Sequence, residues 1–376
     1  MRDDGAFDTD AALYDPVLMT SVAMSRLPGL RTLLAALLVP AIGAAFGAAA
    51  FAYEYAQQAW RPETTRTATG WRIVEPGGRA PSAPSVAGDK LVWTWGPNTI
   101  LMDLTNGKTR LLGAGTPPSQ VMPATISESY ALFSESELDG SQTAYVYDVS
   151  SGKRQRLPAG LHVPDSGVLS GETVLSIVDR GVTGIHAYDL ATGAKSVVVD
   201  DGVAWAPILA DGALVAWHPR SSTTSWTGAS VLLVKDTASG KLTTVPPPPG
   251  DPNDSATPTG WVALRDGKLL GLGSAPGQAG ATVLVRDIET GATLNVGTAE
   301  PGTLPSMDSR TVAWIERDAG LFGATRIVSS RLDGSQPFEI AKVNGAVSAV
   351  SVDSGWVAWT THGIAKSWIE TARLPE

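Results

Sequence analysis

A chain of 376 residues with 40 glycines, 26 prolines and only 17% charged residues suits many short strands and turns, and its 7% of aromatic residues excludes an intrinsically disordered composition. A formal net charge of −9 with no dense Lys/Arg stretch argues against nucleic acid as a partner, since that surface needs clustered cations. The lack of cysteine excludes disulfides, thiolate chemistry, Cys-ligated zinc and a cysteine-linked lipid anchor.

Residues 1–29 form a short tail, acidic at Asp3, Asp4, Asp8, Asp10 and Asp15 and without hydrophobic periodicity. Residues 30–56 read as a single transmembrane helix. The twenty positions from Leu33 to Ala52 carry no charge, and a helix of that length spans roughly 30 Å, the thickness of a bilayer's hydrocarbon core. Arg26 and Arg31 precede the span, and Tyr53, Tyr55 and Trp60 stand where interfacial aromatics belong. The expected arrangement is an uncleaved signal-anchor with the N-terminus cytoplasmic and the rest of the chain outside. The alternative is secretion after cleavage near Ala50, against which stands the long charged region ahead of the apolar run. Residues 57–69 are polar and read as a linker.

From residue 70 to 376 one stretch recurs. Asp103-Leu-Thr-Asn-Gly107, Asp148-Val-Ser-Ser-Gly152, Asp189-Leu-Ala-Thr-Gly193, Asp236-Thr-Ala-Ser-Gly240 and Asp287-Ile-Glu-Thr-Gly291 follow one another at intervals of 45, 41, 47 and 51 residues. An Asp side chain bonds backbone two residues on, and Gly takes the left-handed conformation, so each stretch closes a β-hairpin. A second marker precedes each hairpin: a tight turn, then an apolar strand ending in an aromatic. It is clearest at Asp211-Gly-Ala-Leu-Val-Ala-Trp217, Asp308-Ser-Arg-Thr-Val-Ala-Trp314 and Asp353-Ser-Gly-Trp-Val-Ala-Trp359, with weaker copies ending at Trp93, Phe133, Ser176 and Leu272. Four antiparallel strands every 40 to 45 residues is the period of a β-propeller blade.

The expected fold is therefore all-β, a seven-bladed propeller, with six or eight blades as the alternative counts. The seventh unit stops at Glu376 without its fourth strand, while Gly70-Trp-Arg-Ile-Val74 stands alone ahead of the first unit. Pairing this N-terminal strand with the last blade closes the ring and removes two open sheet edges. The repeat resembles those of TolB-like propellers, through the Asp/Gly turn followed by Val-Ala-Trp, and the Asp-x-x-Thr-Gly turn is similar to the PQQ-like repeats of BamB-like propellers. The matching residues are turn and core positions, so the resemblance implies a fold and not a chemistry. The serine-proline pair of TolB repeats and TolB's N-terminal α/β domain are missing. Val197 occupies the place of the tryptophan that ends PQQ-enzyme repeats, so no PQQ and no other cofactor is expected.

Because each strand reverses direction, the turns between strands 1 and 2 and strands 3 and 4 share one face, and the 2–3 loops and blade-to-blade connections share the other. The second, long-loop face carries the elaborations: 218–230, 273–281 and the proline-rich 246–258. Variable loops on a rigid scaffold are where binding sits. The candidate binding residues there are Asp165, Asp200, Asp201, His218, Arg220, Trp226, Asp251, Asp254 and Glu300. The linker meets Gly70 at the short-turn end, which places that face toward the membrane.

Catalytic signals are sparse. The innermost strands are nearly bare of charge, at Pro84-Ser-Val, Pro123-Ala-Thr-Ile, Pro207-Ile-Leu, Pro305-Ser-Met and Ser348-Ala-Val, with Asp165 the main charged exception and Arg265 near the strand 1–2 turn. His162, His186, His218 and His362 fall in different blades at no ligand spacing, so no metal site is expected. Ser150 to Lys153 matches S-x-x-K across a hairpin, where no lysine is aimed at the serine. The expectation is a membrane-anchored, extracytoplasmic, non-catalytic module that binds a protein or an envelope polymer. The alternative is an enzyme acting on a carbohydrate or lactone at the channel mouth.

Overall fold

The computed structural model describes residues 62–375 except 75–80, 97, 115–123, 137–141, 159–160, 162–167, 180–182, 201, 204–207, 220–230, 251–259, 275–279, 319–323 and 364–365. The tail and transmembrane helix expected within residues 1–56 lie outside the described residues. No described helix is long and apolar enough to cross a membrane.

All twenty-nine described elements are strands. Two come first, β1 (Glu63–Arg66) and β2 (Gly70–Val74). Blade one is β3 (Ser85–Ala87), β4 (Lys90–Trp95), β5 (Asn98–Asp103) and β6 (Thr109–Ala114); blade two is β7 (Thr125–Ile126), β8 (Tyr130–Ser136), β9 (Gln142–Asp148) and β10 (Arg154–Arg156). Blade three is β11 (Val168–Ser170), β12 (Thr173–Asp179), β13 (Thr183–Asp189) and β14 (Lys195–Val199); blade four is β15 (Leu209–Asp211), β16 (Leu214–Trp217), β17 (Leu232–Asp236) and β18 (Leu242–Val245). Blade five is β19 (Gly260–Arg265), β20 (Lys268–Gly273), β21 (Ala281–Asp287) and β22 (Thr293–Ala299); blade six is β23 (Ser306–Met307), β24 (Thr311–Arg317), β25 (Thr325–Arg331) and β26 (Phe338–Val343). Blade seven is β27 (Ala346–Asp353), β28 (Trp356–His362) and β29 (Ser367–Arg373), completed by the N-terminal strands in the order β1-β2-β29-β28-β27. The blade count is seven, and the ring closes on β2 in register, Gly70 opposite Ala372 and Val74 opposite Trp368.

The recurring Asp-to-Gly stretch closes strands 3 and 4 in blades one to five as expected. In each, the Gly N–H donates to the Asp carbonyl, as from Gly193 to Asp189 at 2.9 Å. The glycines have φ between 70° and 75°, a region where a Cβ meets the backbone. A second tie was not visible in the sequence. In all seven blades the residue after strand 3 donates its N–H to a carbonyl of the strand 1–2 turn: Leu104 to Asp89, Val149 to Ser129, Leu190 to Glu172, Thr237 to Ala213, Ile288 to Gly267, Leu332 to Arg310 and Leu374 to Gly355, at 2.8–3.1 Å. In blades one to six the two turns are thereby one hydrogen-bonded unit, and in blade seven the same bond ties the end of β29 to the strand 1–2 turn.

The core lies between blades. The aromatics that end the strand-2 signature are buried there: Trp93 is fully inaccessible, Trp314 1% exposed and Trp359 4%. Each such side chain contributes about 1.5–3 kcal/mol by leaving water. The cluster at the closure draws Ile73 from β2, Trp93 and Met102 from blade one and Ile369 from β29. Adjacent blades also dock through the second residue of strand 4. Trp71 of β2 lies against Gly107 in the turn of blade one and donates its Nε1–H to the Leu104 carbonyl at 2.8 Å. Arg110 reaches Gly152 in the same way, and Leu294 reaches Gly334.

The linker expectation needs correction. Residues 63–66 are not tether but a fifth strand of blade seven, paired antiparallel to β2 with Glu63 opposite Val74. The lack of any apolar side chain in Glu-Thr-Thr-Arg hid it, because its hold is the backbone ladder and its side chains stay largely in water. Gly70 does lie at the short-turn end, but β1 reverses the chain, so the polypeptide joins the propeller at Glu63, at the long-loop end. The point where the chain enters the propeller therefore does not turn the short-turn face toward the membrane.

Candidate functional site

The two faces differ in what their polar groups have left to offer. On the short-turn face, strands 1 and 2 are joined by two or three residues, and strands 3 and 4 of blades one to five by five. The Asp carboxylates that open the strand 3–4 turns of blades one to five are used within their own blades. Asp148 accepts from the backbone N–H of Ser151 and from the Ser150 hydroxyl, and these bonds hold its pKa down to about 2. The Thr192 hydroxyl and N–H do the same for Asp189, lowering its pKa. Lys268 and the Thr290 N–H depress Asp287 further. These anions are spent on structure.

At the mouth of the channel on this face the innermost strands are tied across the ring. Arg265, the last residue of β19, places Nη2 2.8 Å from Asp353 Oδ1 of blade seven and Nη1 3.6 Å from Asp211 Oδ1 of blade four. Asp353 is 8% exposed at its side chain and also accepts from Gly88 N of blade one at 2.7 Å and from the Ser354 hydroxyl. Asp211 Oδ2 accepts from Asp266 N. One arginine and two carboxylates thus link blades four, five, seven and one. Serine hydroxyls stitch neighbouring inner strands in a matching way: Ser85 accepts from Ile126 N, Ser351 from Val86 N and Ser306 from Val352 N, at 3.1–3.3 Å. A sequence shows Arg265 and these serines only as isolated polar residues on apolar strands; their partners stand in other blades.

The long-loop face holds the extended connections. Strands β16 and β17 are separated by 14 residues, β18 and β19 by 14, and β20 and β21 by 7. Of the sequence-predicted site residues, Asp165, Asp201, Arg220, Trp226, Asp251 and Asp254 lie outside the described residues. Asp200 is exposed just past β14. His218 sits half-buried after β16 with Nδ1 3.2 Å from the Val231 carbonyl, which joins the two ends of its loop; burial pushes its pKa down and favours the neutral ring. Glu300 pairs with Arg317 at 3.0 Å, and its backbone N–H bonds the Ile315 carbonyl, so it anchors the connection between blades five and six. These three residues belong to three different connections and are not brought into one cluster. Among the described residues no three His, Asp or Glu side chains are placed to hold a metal ion.

One grouping on this face escaped the sequence reading. His362, at the end of β28, has Nε2 2.8 Å from Ser348 Oγ of β27 and Nδ1 2.9 Å from Ser367 Oγ of β29. The three residues come from three adjacent strands at the long-loop end of blade seven.

No protein-family model matches the chain, and no curated protein sequence matches it. Solved structures do. The β-propeller domain of the Trilobed protease from Pyrococcus furiosus is 11% identical and superposes with a TM-score of 0.56, covering 80% of this chain and 98% of that one. Oligogalacturonate lyase from Vibrio parahaemolyticus is 13% identical with a TM-score of 0.56, covering 84% and 97%. TolB from Acinetobacter baumannii is 12% identical with a TM-score of 0.43, covering 73% and 77%, and BamB is among the matched propellers as well. The strand order defines the class, a seven-bladed β-propeller, and the two likenesses with a TM-score of 0.56 are to chains of that fold. The Pyrococcus domain is described by an open velcro topology; here the ring closes through β2 and β29.

Proposed function

We propose that the chain is a binding propeller of the cell envelope, anchored through residues 30–56 with the propeller outside, which engages a protein or an envelope polymer through its long-loop face. The asymmetry of the two faces carries this reading. On the short-turn face blades one to six tie their two turns together internally, and Arg265 pairs with both Asp353 and Asp211 across the channel mouth. Every long connection between strands opens on the other side. A rigid, self-satisfied base under variable loops is the arrangement in which loops do the recognising. Solved propellers of similar fold include an enzyme, oligogalacturonate lyase, so fold alone does not choose between binding and catalysis.

The test is photo-crosslinking of the full chain in its own membranes, with the crosslinker at residue 226, in the segment that joins β16 to β17, or at residue 192 of the short-turn face. The expected result is discrete adducts from 226 and none from 192. Adducts from 192 alone would reverse the assignment of the binding face. Silence from 226 and from a second site at 254 would remove the reading.

A further inference from the structure

Blade seven presents a serine built unlike its neighbours. Along β27 the register with β28 runs Ala346 opposite His362 and Val347 opposite Thr361, then resumes with Ala349 opposite Thr360. Ser348 is the extra residue of a β-bulge, exposed and without a cross-strand partner of its own. Bulges commonly re-aim a side chain out of the ladder. Here the re-aimed hydroxyl meets an imidazole, Oγ lying 2.8 Å from His362 Nε2. The other ring nitrogen is 2.9 Å from the hydroxyl of Ser367, which stands directly opposite His362 across the β28–β29 ladder and is itself 9% exposed.

The backbone around the histidine is clamped. Gly345, at φ +154°, brings the β26–β27 connection so close that a Cβ there would sit 2.9 Å from the His362 carbonyl oxygen. On the other side Gly363 donates its N–H to the Lys366 carbonyl at 2.9 Å, and a Cβ on it would strike the Trp368 ring at 2.8 Å. Two glycines therefore allow both flanking connections to pack on this end of β28. An exposed hydroxyl on a base that is oriented by a third, buried group on a fixed backbone is the arrangement of an activated nucleophile.

We propose that Ser348 is a nucleophile toward carboxylic esters, lactones included, with His362 as its base and Ser367 as the residue that positions the imidazole. With Nδ1–H donated to Ser367 Oγ, Nε2 is free to accept the Ser348 proton. Ser348 Oγ forms a bond to the carbonyl carbon, the bond from that carbon to the alkoxy oxygen breaks, and the proton taken by His362 passes to the departing oxygen. Water then adds to the acyl-serine, gives a proton to His362, and the carboxylic acid leaves as the proton returns to Ser348 Oγ. No oxidant, metal or further reactant enters the balance. This proposal stands apart from the binding reading and concerns blade seven, away from the long connections of blades four and five.

The experiment treats the full chain with a fluorophosphonate and maps the adduct by mass. One adduct on Ser348 is expected, absent from Ser348→Ala. His362→Gln should slow its formation by about 100-fold, the low end of what a positioned general base supplies. Ser367→Ala should slow it and Ser367→Thr restore it, a rescue that loss of packing alone would not produce. An independent readout uses the absence of native cysteine: Ser348→Cys should be alkylated by iodoacetamide about tenfold faster than Thr244→Cys on an exposed edge strand, because an adjacent imidazole favours the thiolate. No adduct on Ser348 together with equal alkylation of the two thiols overturns the proposal, as does labelling at an unchanged rate in His362→Gln. The crosslinking result at residue 226 is independent of all of these outcomes.

Discussion

Gly107 and Gly240 occupy the same position of the same turn with the same φ, +75°, and differ in what lies above them. A Cβ at Gly240 would meet nothing within 4 Å, whereas one at Gly107 would fall closer than 3.0 Å to the six-membered ring of Trp71. The indole cannot swing away freely, because Nε1 bonds the Leu104 carbonyl at 2.8 Å and the ring packs on the cluster that closes the propeller. An alanine in the left-handed region costs about 1–2 kcal/mol at either site. Overpacking against a pinned ring adds about 1–3 kcal/mol, so the total for Gly107→Ala is about 2–5 kcal/mol. Guanidinium unfolding followed by far-UV circular dichroism measures both variants without depending on tryptophan emission. The same comparison in a Trp71→Ala background should bring the cost of Gly107→Ala down to that of Gly240→Ala, since the obstacle has gone. If the two glycine variants agree within about 0.5 kcal/mol in the wild-type background, the limit of additivity for independent sites, Trp71 does not dock as described. If the gap survives the loss of Trp71, its cause lies elsewhere.

Two further predictions concern charge. Asp353→Ala should be more damaging than Arg265→Ala: the aspartate is almost fully buried and serves Gly88 N, Ser354 and Arg265 at once, so its removal strands partners at about 1–3 kcal/mol, while the half-exposed arginine contributes about 1 kcal/mol after screening. The reverse order in a thermal or chemical unfolding series would sink the cross-channel account. The turn carboxylates also set an acid limit. Asp148, with a folded pKa of about 2, and the similarly lowered Asp103, Asp189, Asp236, Asp287 and Asp333 contribute stability that is complete above the unfolded carboxylate range near pH 4. That contribution is lost as pH falls from about 4 toward 2. Asp148→Asn should flatten this decline in a pH series of unfolding midpoints; an unchanged slope would show that the turn bonds do not discriminate between the charged and neutral carboxyl.

The repeat unit, its turn chemistry and the number of blades were legible because they rest on local rules: an Asp that caps a turn, a Gly that takes positive φ, an aromatic that ends an apolar strand. Even the closing strand at Gly70 to Val74 could be read, since the seventh unit visibly lacked one. The strand at Glu63 to Arg66 could not. It buries little and is held by its backbone, so its side chains carry no periodic signal. The candidate loop residues were legible as exposed polar positions, but the structure shows Glu300 in an ion pair with Arg317 and His218 bonding across the ends of its own loop, roles that depend on neighbours distant in sequence.

What the chain determines by itself is the seven-fold repetition of four strands, because each blade's turns and core positions are chosen within some 45 residues. What tertiary structure alone decides is which of those repeated positions meet. Arg265 reaches Asp353 past blade six, Trp71 lies on Gly107 around the closure, and a one-residue bulge turns Ser348 toward His362. The reason is geometric: a local pattern sets how a blade is built, whereas ring closure and strand register set which side chains from different strands share a few ångströms of space, and neither leaves a mark on the residues one at a time.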